Sequence, residues 1–195
     1  MTPRLTAVRR SRADRVALEV DGRPWRVVPD EVVVRCGLAA GRELERPLLR
    51  AIGRELRRVE ALDVAARALS RRDLSRTRLA QRLELRGVAV RDRETTLARL
   101  AEAGILDDAR AARARAAALA ERGWGDAAVE ARLEADGFQC QLVSAALSEL
   151  PPESERARAA AVGAGNPGKA WAHLARRGFS SDAIESALGP LDEEG

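Results

Sequence analysis

The sequence predicts a mainly α protein: three tandem three-helix repeats in an elongated, curved body, behind a small N-terminal β-hairpin or sheet. Three observations carry this. A frame of Leu, three residues, Gly, nine residues, Leu, two residues, Leu occurs three times, anchored at Leu83/Gly87/Leu97/Leu100, Leu133/Gly137/Leu147/Leu150 and Leu174/Gly178/Leu188/Leu191. An apolar residue follows the glycine in each copy, as Val88, Phe138 and Phe179. The first 28 residues instead alternate in short β-type runs around Asp21-Gly22, a strong hairpin signal.

Each copy of the frame reads as a helical hairpin. In the first, Leu79 and Leu83 share one helix face, and Gly87 closes the helix where a left-handed residue needs no Cβ. Leu97 and Leu100 then mark the apolar face of a second helix. The steps between glycines leave room for a third helix in each unit. A single such hairpin buries too little, so neighbouring units must stack.

In chain order, strands are expected at Leu5–Val8, Val16–Val20 and Pro24–Val28. A short helix follows from Asp30 to Cys36, stopped by Gly37, and a basic helix from about Leu44 to Val59. The first repeat opens near Glu60 with a face of Leu62, Ala65, Ala66 and Leu69; Ser75 is a candidate N-cap for the next helix. Asp107 or Asp108 starts a long Ala-rich helix, broken by Gly123-Trp124-Gly125. Pro151-Pro152 ends the second unit, and Asn166-Pro167 supplies cap and first turn for the last hairpin. The expected organisation is therefore an extension over residues 1–59, repeats over 60–103, 107–150 and 153–190, and an acidic tail over 191–195.

Composition narrows the function classes. No apolar run reaches the length of a membrane span and no signal-peptide core is visible, so a cytoplasmic protein is expected. Cys36 and Cys140 read as small buried thiols in a reducing compartment. The net charge of +4 conceals an imbalance: residues 1–86 hold 21 basic and 12 acidic side chains, and the remainder 13 and 18. A basic front half suits a polyanionic partner.

Catalysis finds little support. His173 is the one histidine and has no matching ligand or carboxylate cluster. The segment Gly163 to Ala170 (GAGNPGKA) falls short of a phosphate-binding loop, with Ala170 in place of the Mg²⁺-binding hydroxyl and Pro167 lacking an N–H. It reads as a linker. No metal or cofactor is expected. Trp124 and Trp171 read as packing residues, without the aromatic neighbours of a base-stacking platform.

The positive signal is arginine. Arg78, Arg82 and Arg86 recur every four residues beside the Leu79/Leu83 face, with Arg71, Arg72 and Arg76 just upstream. Arg176 and Arg177 offer a smaller second site. Such guanidinium rows can track a phosphate backbone or an acidic protein groove, or simply form a solvated surface.

Several of these segments, in order, resemble the RecX family, bacterial regulators of the RecA recombinase. They are Ala61 to Arg72, Ser75 to Gly87, Gly104 to Asp108, Arg122 to Gly125 and Leu174 to Phe179, within residues 58–190. The hairpin over 4–28 is similar to an N-terminal extension found in many members. The chain departs from the family pattern at Ile105, often aromatic in members, and in the middle helix, which has Ala where members often place Phe. The resemblance implies three tandem three-helix repeats and a non-enzymatic, cofactor-free modulator. It implies a protein that binds RecA along its filament, restrains filament growth, ATPase and strand exchange, and binds single- and double-stranded DNA. A monomer is expected. The alternative weighed is a helix-turn-helix transcriptional repressor, for which one reading helix and a dimer interface would suffice; an inert helical adaptor would bind neither partner.

Overall fold

The structure, a computed structural model, describes residues 2–12, 14–162 and 166–189. The chain is mainly α with a small N-terminal antiparallel sheet: ten helices follow three strands among the described residues. It divides into two compact units, one from residues 1–70 and 82–98, the other from 71–81 and 99–195.

In the first unit, β1 (Leu5–Arg12), β2 (Arg15–Val20) and β3 (Arg23–Pro29) form a meander in the order β1-β2-β3. Asp21 and Gly22 both take positive φ, 49° and 79°, as a two-residue hairpin turn of this twist requires. Val16 faces Val28 across one pair and Leu18 faces Val8 across the other. That face, with Leu5, is buried with Val32 and Cys36 of α1 (Asp30–Cys36) and Ile52 of α2 (Arg46–Leu69). Loop residues take the outer edge of β1, where Leu5 donates to the Arg42 carbonyl at 2.9 Å and Leu44 to that of Pro3 at 2.7 Å. On β3 the register slips opposite Leu18 and Glu19, which pair with Arg26 and Pro24 and leave Trp25 as the extra residue of a bulge.

An ion cluster joins α1 to α2. Arg58, largely buried, bonds Glu55 at 2.6 Å and also Glu31, while Arg35 reaches Glu55 at 3.0 Å. Burial pushes the Glu55 carboxyl up, but the hydrogen bonds and charges of Arg58 and Arg35 together outweigh it and hold the group below its usual value.

Two expectations for this region are corrected. No break separates a basic helix ending at Val59 from a repeat helix starting at Glu60. Residues 46–69 form one helix, because nothing between Leu56 and Leu69 interrupts helical propensity. Its buried face past residue 60 is Ala61, Ala65 and Ala68, with Leu62 and Leu69 half-buried beside it and Ala66 exposed. Alanines let a neighbouring backbone approach more closely than leucines would.

The first copy of the frame lies in α3 (Arg76–Leu85) and α4 (Val90–Glu102), each of which runs from one unit into the other. The second unit also holds two complete three-helix sets. α5 (Asp108–Glu121), α6 (Asp126–Ala135) and α7 (Cys140–Ser148) pack around Ala112, Ala116, Val129, Leu133 and Val143. α8 (Glu153–Ala161), α9 (Pro167–Arg176) and α10 (Ser181–Leu188) pack around Ala157, Leu174, Phe179 and Ile184. Leu83, Leu97, Leu100, Leu133 and Leu174 are buried anchors, whereas Leu147, Leu150 and Leu188 are half-buried; Leu191 lies outside the described residues. Cys36 is buried, but Cys140 is exposed, contrary to expectation, because it opens α7 on the helix's outer side.

All three frame glycines close their helices in the same way. Gly87, Gly137 and Gly178 have φ of 75°, 80° and 79°. The N–H of the following residue returns to the anchor leucine: Val88 to Leu83 at 3.0 Å, Phe138 to Leu133 and Phe179 to Leu174 at 3.2 Å. The glycine N–H bonds one residue further on, to Glu84, Glu134 and Ala175. This paired closure satisfies carbonyls that the helix end would otherwise leave open.

Within the second unit these corners also form the joints between successive helix sets. Ser75 caps α3, accepting from the Arg78 N–H at 3.1 Å, and its hydroxyl donates to the Asp136 carbonyl just before Gly137. One set later, the Gly125 N–H donates to the Arg177 carbonyl just before Gly178, at 2.9 Å. A carboxylate completes each joint. Asp108, opening α5, accepts from the Arg76 N–H at 2.8 Å, and Glu153, opening α8, accepts from the Asp126 N–H at 2.7 Å. α9, by contrast, opens on Pro167, with Asn166 as cap.

The glycines therefore differ in how much they tolerate. A Cβ on Gly87 would meet nothing within 4 Å, one on Gly137 would lie 2.9 Å from the Thr77 Cβ, and one on Gly125 would lie 2.3 Å from the Gly178 backbone. In chemical denaturation, Gly87→Ala is expected to cost about 1 kcal/mol, from backbone strain alone. Gly137→Ala should cost more, and Gly125→Ala, which has no positive φ, should be the most damaging of the three. Leu133→Ala should cost about 2–5 kcal/mol. Glu55→Gln should destabilise at neutral pH. A depressed carboxyl stabilises above its unfolded value and loses that contribution as pH falls, so melts of Glu55→Gln and the parent should converge in acid below the normal Glu range.

Candidate functional site

The arginines singled out from the sequence do not share one fate. Arg71, Arg72 and Arg76 surround the start of α3 and are exposed. Arg78 is half-buried. Its guanidinium donates to the Ala135 carbonyl, the last residue of α6, and to Gln81 at 3.1 Å. A cation on the open carbonyls of a helix C-terminus is favourably placed against the helix dipole, so Arg78 holds the joint between α3 and α6. Arg82 is half-buried on α3, and Arg86, just past its last residue, is exposed. Regular spacing put these three in one row, but their environments are not alike.

The same division holds at the second site. Arg177 donates to the Arg122 carbonyl at 2.7 Å and lies 4.7 Å from the ring centre of Trp124, whose ring also carries Arg132 at 3.7 Å. This stack is a packing device, as read for Trp124 from the sequence. Arg176 is exposed.

Around the α3 start, the second unit forms a cleft of about 180 Å³. Arg72, Arg78 and Arg115 line it with the carboxylates Asp73 and Asp136, together with Phe138 and alanines of α5. Arg115 bonds Asp136 at 3.0 Å and Arg110 bonds Asp73 at 3.2 Å. Sequence reading passed over Arg110 and Arg115. The available signal was their position on α5 relative to the buried Ala111 and Ala112, which turns both towards the joint. The small side chains Ala114 and Ala118 leave the cleft open.

Asp108 sits half-buried at this joint. Burial raises its carboxyl above the usual value, while the N–H and charge of Arg76 pull it back and neighbouring Asp107 adds to the rise.

Among the described residues no group of three His, Cys, Asp or Glu side chains could hold a metal ion. Asn166 Oδ1 accepts from the Lys169 N–H at 2.9 Å, so the end of the phosphate-loop-like segment is a helix cap; its first residues, 163–165, lie outside the described residues. His173 is half-buried on α9. No described helix is long and apolar enough to cross a membrane.

A regulatory protein RecX of Halorhodospira halophila is 32% identical over 142 residues, spanning 68% of this chain and 88% of that protein. The chain belongs to the RecX family. A regulatory protein RecX of Chromohalobacter salexigens is 33% identical over 135 residues, covering 65% of this chain and 89% of its own length. No protein-family model matches. The fold agrees with that of solved RecX structures. A crystal structure of regulatory protein RecX superposes with a TM-score of 0.75 at 20% identity, over 95% of this chain and 98% of its own. That of RecX from Lactobacillus salivarius gives 0.62 at 16%, over 68% and 94%. The Halorhodospira and Chromohalobacter relatives are both named as regulatory proteins.

Asp108 gives a test of the joint. A raised carboxyl stabilises below its unfolded value and loses that contribution as pH rises through its folded value. Asp108→Asn keeps an acceptor for the Arg76 N–H without a partly desolvated charge, so at pH 7 it should melt at or above the parent temperature. Asp108→Ala strands the donor and should melt lower.

Proposed function

We propose that this chain regulates RecA by direct binding to the recombinase's nucleoprotein filament in the cytoplasm, restraining filament extension and the ATPase and strand exchange that depend on it. The observation that carries this reading is membership of a family of regulatory proteins, here with several arginines exposed around and beyond α3. The chain makes no bond-breaking contribution in this reading. It acts by occupying the filament, as a monomer and without a cofactor.

Arg71, Arg72, Arg76, Arg86 and Arg176 supply the contacts with phosphate or acidic filament side chains, and Arg82 contributes from its half-buried position. Guanidinium forks suit both targets. Arg78 and Arg177 act indirectly, by holding the joints that present the exposed groups. Contacts of this kind would bind single- and double-stranded DNA with little base preference.

Co-sedimentation with RecA filaments, with duplex DNA alone as control, tests the reading. Filament capture with slowed extension is the expected result. Binding to duplex alone, with a preferred sequence, would overturn it in favour of a repressor. In the triple variant Arg71→Ala, Arg72→Ala, Arg76→Ala, the log–log salt dependence of DNA binding should flatten by about one unit per lost phosphate contact. If these arginines meet acidic RecA side chains instead, filament capture should fall while naked-DNA binding is unchanged.

A further inference from the structure

The first unit carries a second basic feature, separate from α3. A groove of about 630 Å³ runs between the open edge of β3 and the flank of α2. Arg15, Arg26, Arg57 and Arg67 line it, together with Glu60 and Asp63. Arg57 is engaged with Asp92 at 3.0 Å, and the Nε of Arg67 is held by the Asp63 carbonyl at 3.1 Å. Arg15 and Arg26 are exposed. Next to Arg26, the bulge presents Trp25, which is 37% exposed, with the Arg26 guanidinium 5.5 Å from its ring centre. Val27, on the groove wall, is 53% exposed. A large aromatic and a valine left open on an edge strand beside a cluster of arginines need an explanation that packing does not supply.

We propose that this groove binds a short stretch of single-stranded nucleic acid. Arg15, Arg26 and Arg67 take the phosphates, and Trp25 stacks against a base. Trp25 decides between ligands. Glu60 and Asp63 repel phosphates and the carboxylates of an acidic peptide alike, but only a nucleic acid offers a flat ring for the indole. A single strand presents unpaired base edges, and the amino groups of cytosine and adenine donate to such carboxylates. A duplex keeps its bases paired and stacked, out of reach of Trp25. The assignment adds a separate site, on the first unit, to the DNA binding proposed above and does not depend on filament contact: a chain that never met a filament would still bind strands here.

The test uses the full chain, a labelled oligonucleotide of mixed C and A, the matching duplex, and poly-glutamate. Single strand should quench tryptophan emission in the parent. In Trp25→Ala that quenching should disappear and single-strand affinity should fall about tenfold, with duplex affinity nearly unchanged. In Arg15→Ala, Arg26→Ala, Arg67→Ala the salt dependence of single-strand binding should flatten by about two units. The corresponding triple Lys variant, which keeps the charges, should retain most of the binding. The Arg71/Arg72/Arg76 alanine variant should keep the Trp25-dependent quenching, which separates this site from the α3 arginines. A groove variant with parental circular dichroism that binds single strand with parental affinity and salt slope would overturn the assignment. So would poly-glutamate displacing the strand at equal charge concentration, which would mark the groove as a peptide site.

Discussion

The second unit depends on one joint, made twice. A helix ends at a glycine in the left-handed region, and the start of a helix from the preceding set is pressed against that corner. The two backbones come so close at Gly125 and Gly178 that neither position can carry a side chain without displacement. Hydrogen bonds fasten the contact. A donor at the helix start meets the last carbonyl before the glycine, and a carboxylate from the next set's first helix covers the free N–H beside it. Helix ends are where backbone groups lack partners. Two ends that satisfy each other leave the hydrophobic cores of the sets free to be small and rich in alanine.

Much of this was legible in the sequence, and for definite reasons. The glycine corner constrains φ and the anchor leucine is one helix turn away, so the frame survives as fixed spacing. Asp21-Gly22, Gly37 and Ser75 were readable for the same reason: local backbone geometry restricts the residue type. The joint was not readable, because its partners lie 27 to 61 residues apart and each has a sufficient local explanation. Ser75 is a good cap, and Gly125 looks like a helix breaker. Nothing local says that the Ser75 hydroxyl also donates to the Asp136 carbonyl. The continuous helix over 46–69 was missed because a repeat boundary was imposed on it where the residues themselves contain none.

The arginines show the same limit at the level of the site. Spacing of four put Arg78, Arg82 and Arg86 in one row, and that is all that periodicity can say. It cannot show that α6 ends within reach of Arg78, or that Arg132 and Arg177 both reach the Trp124 ring. With one lysine among 34 basic side chains, this protein uses arginine both as mortar and as surface. A planar fork with five donors can cap carbonyls and stack on indole, which an ammonium does less well. Charge counts alone therefore overstate how much of the basic front half is open to a partner.

Pro167 sets the start of α9 apart from the helix starts that make the joints. Every joint described relies on a backbone N–H at the first residue of the incoming helix, donated by Arg76 in one case and Asp126 in the next. α9 is the next helix in that series, and its first residue has no N–H to give. The start of α9 therefore lacks the group through which α3 and α6 each hold a carboxylate, and a side-chain oxygen of Asn166 does the capping there instead.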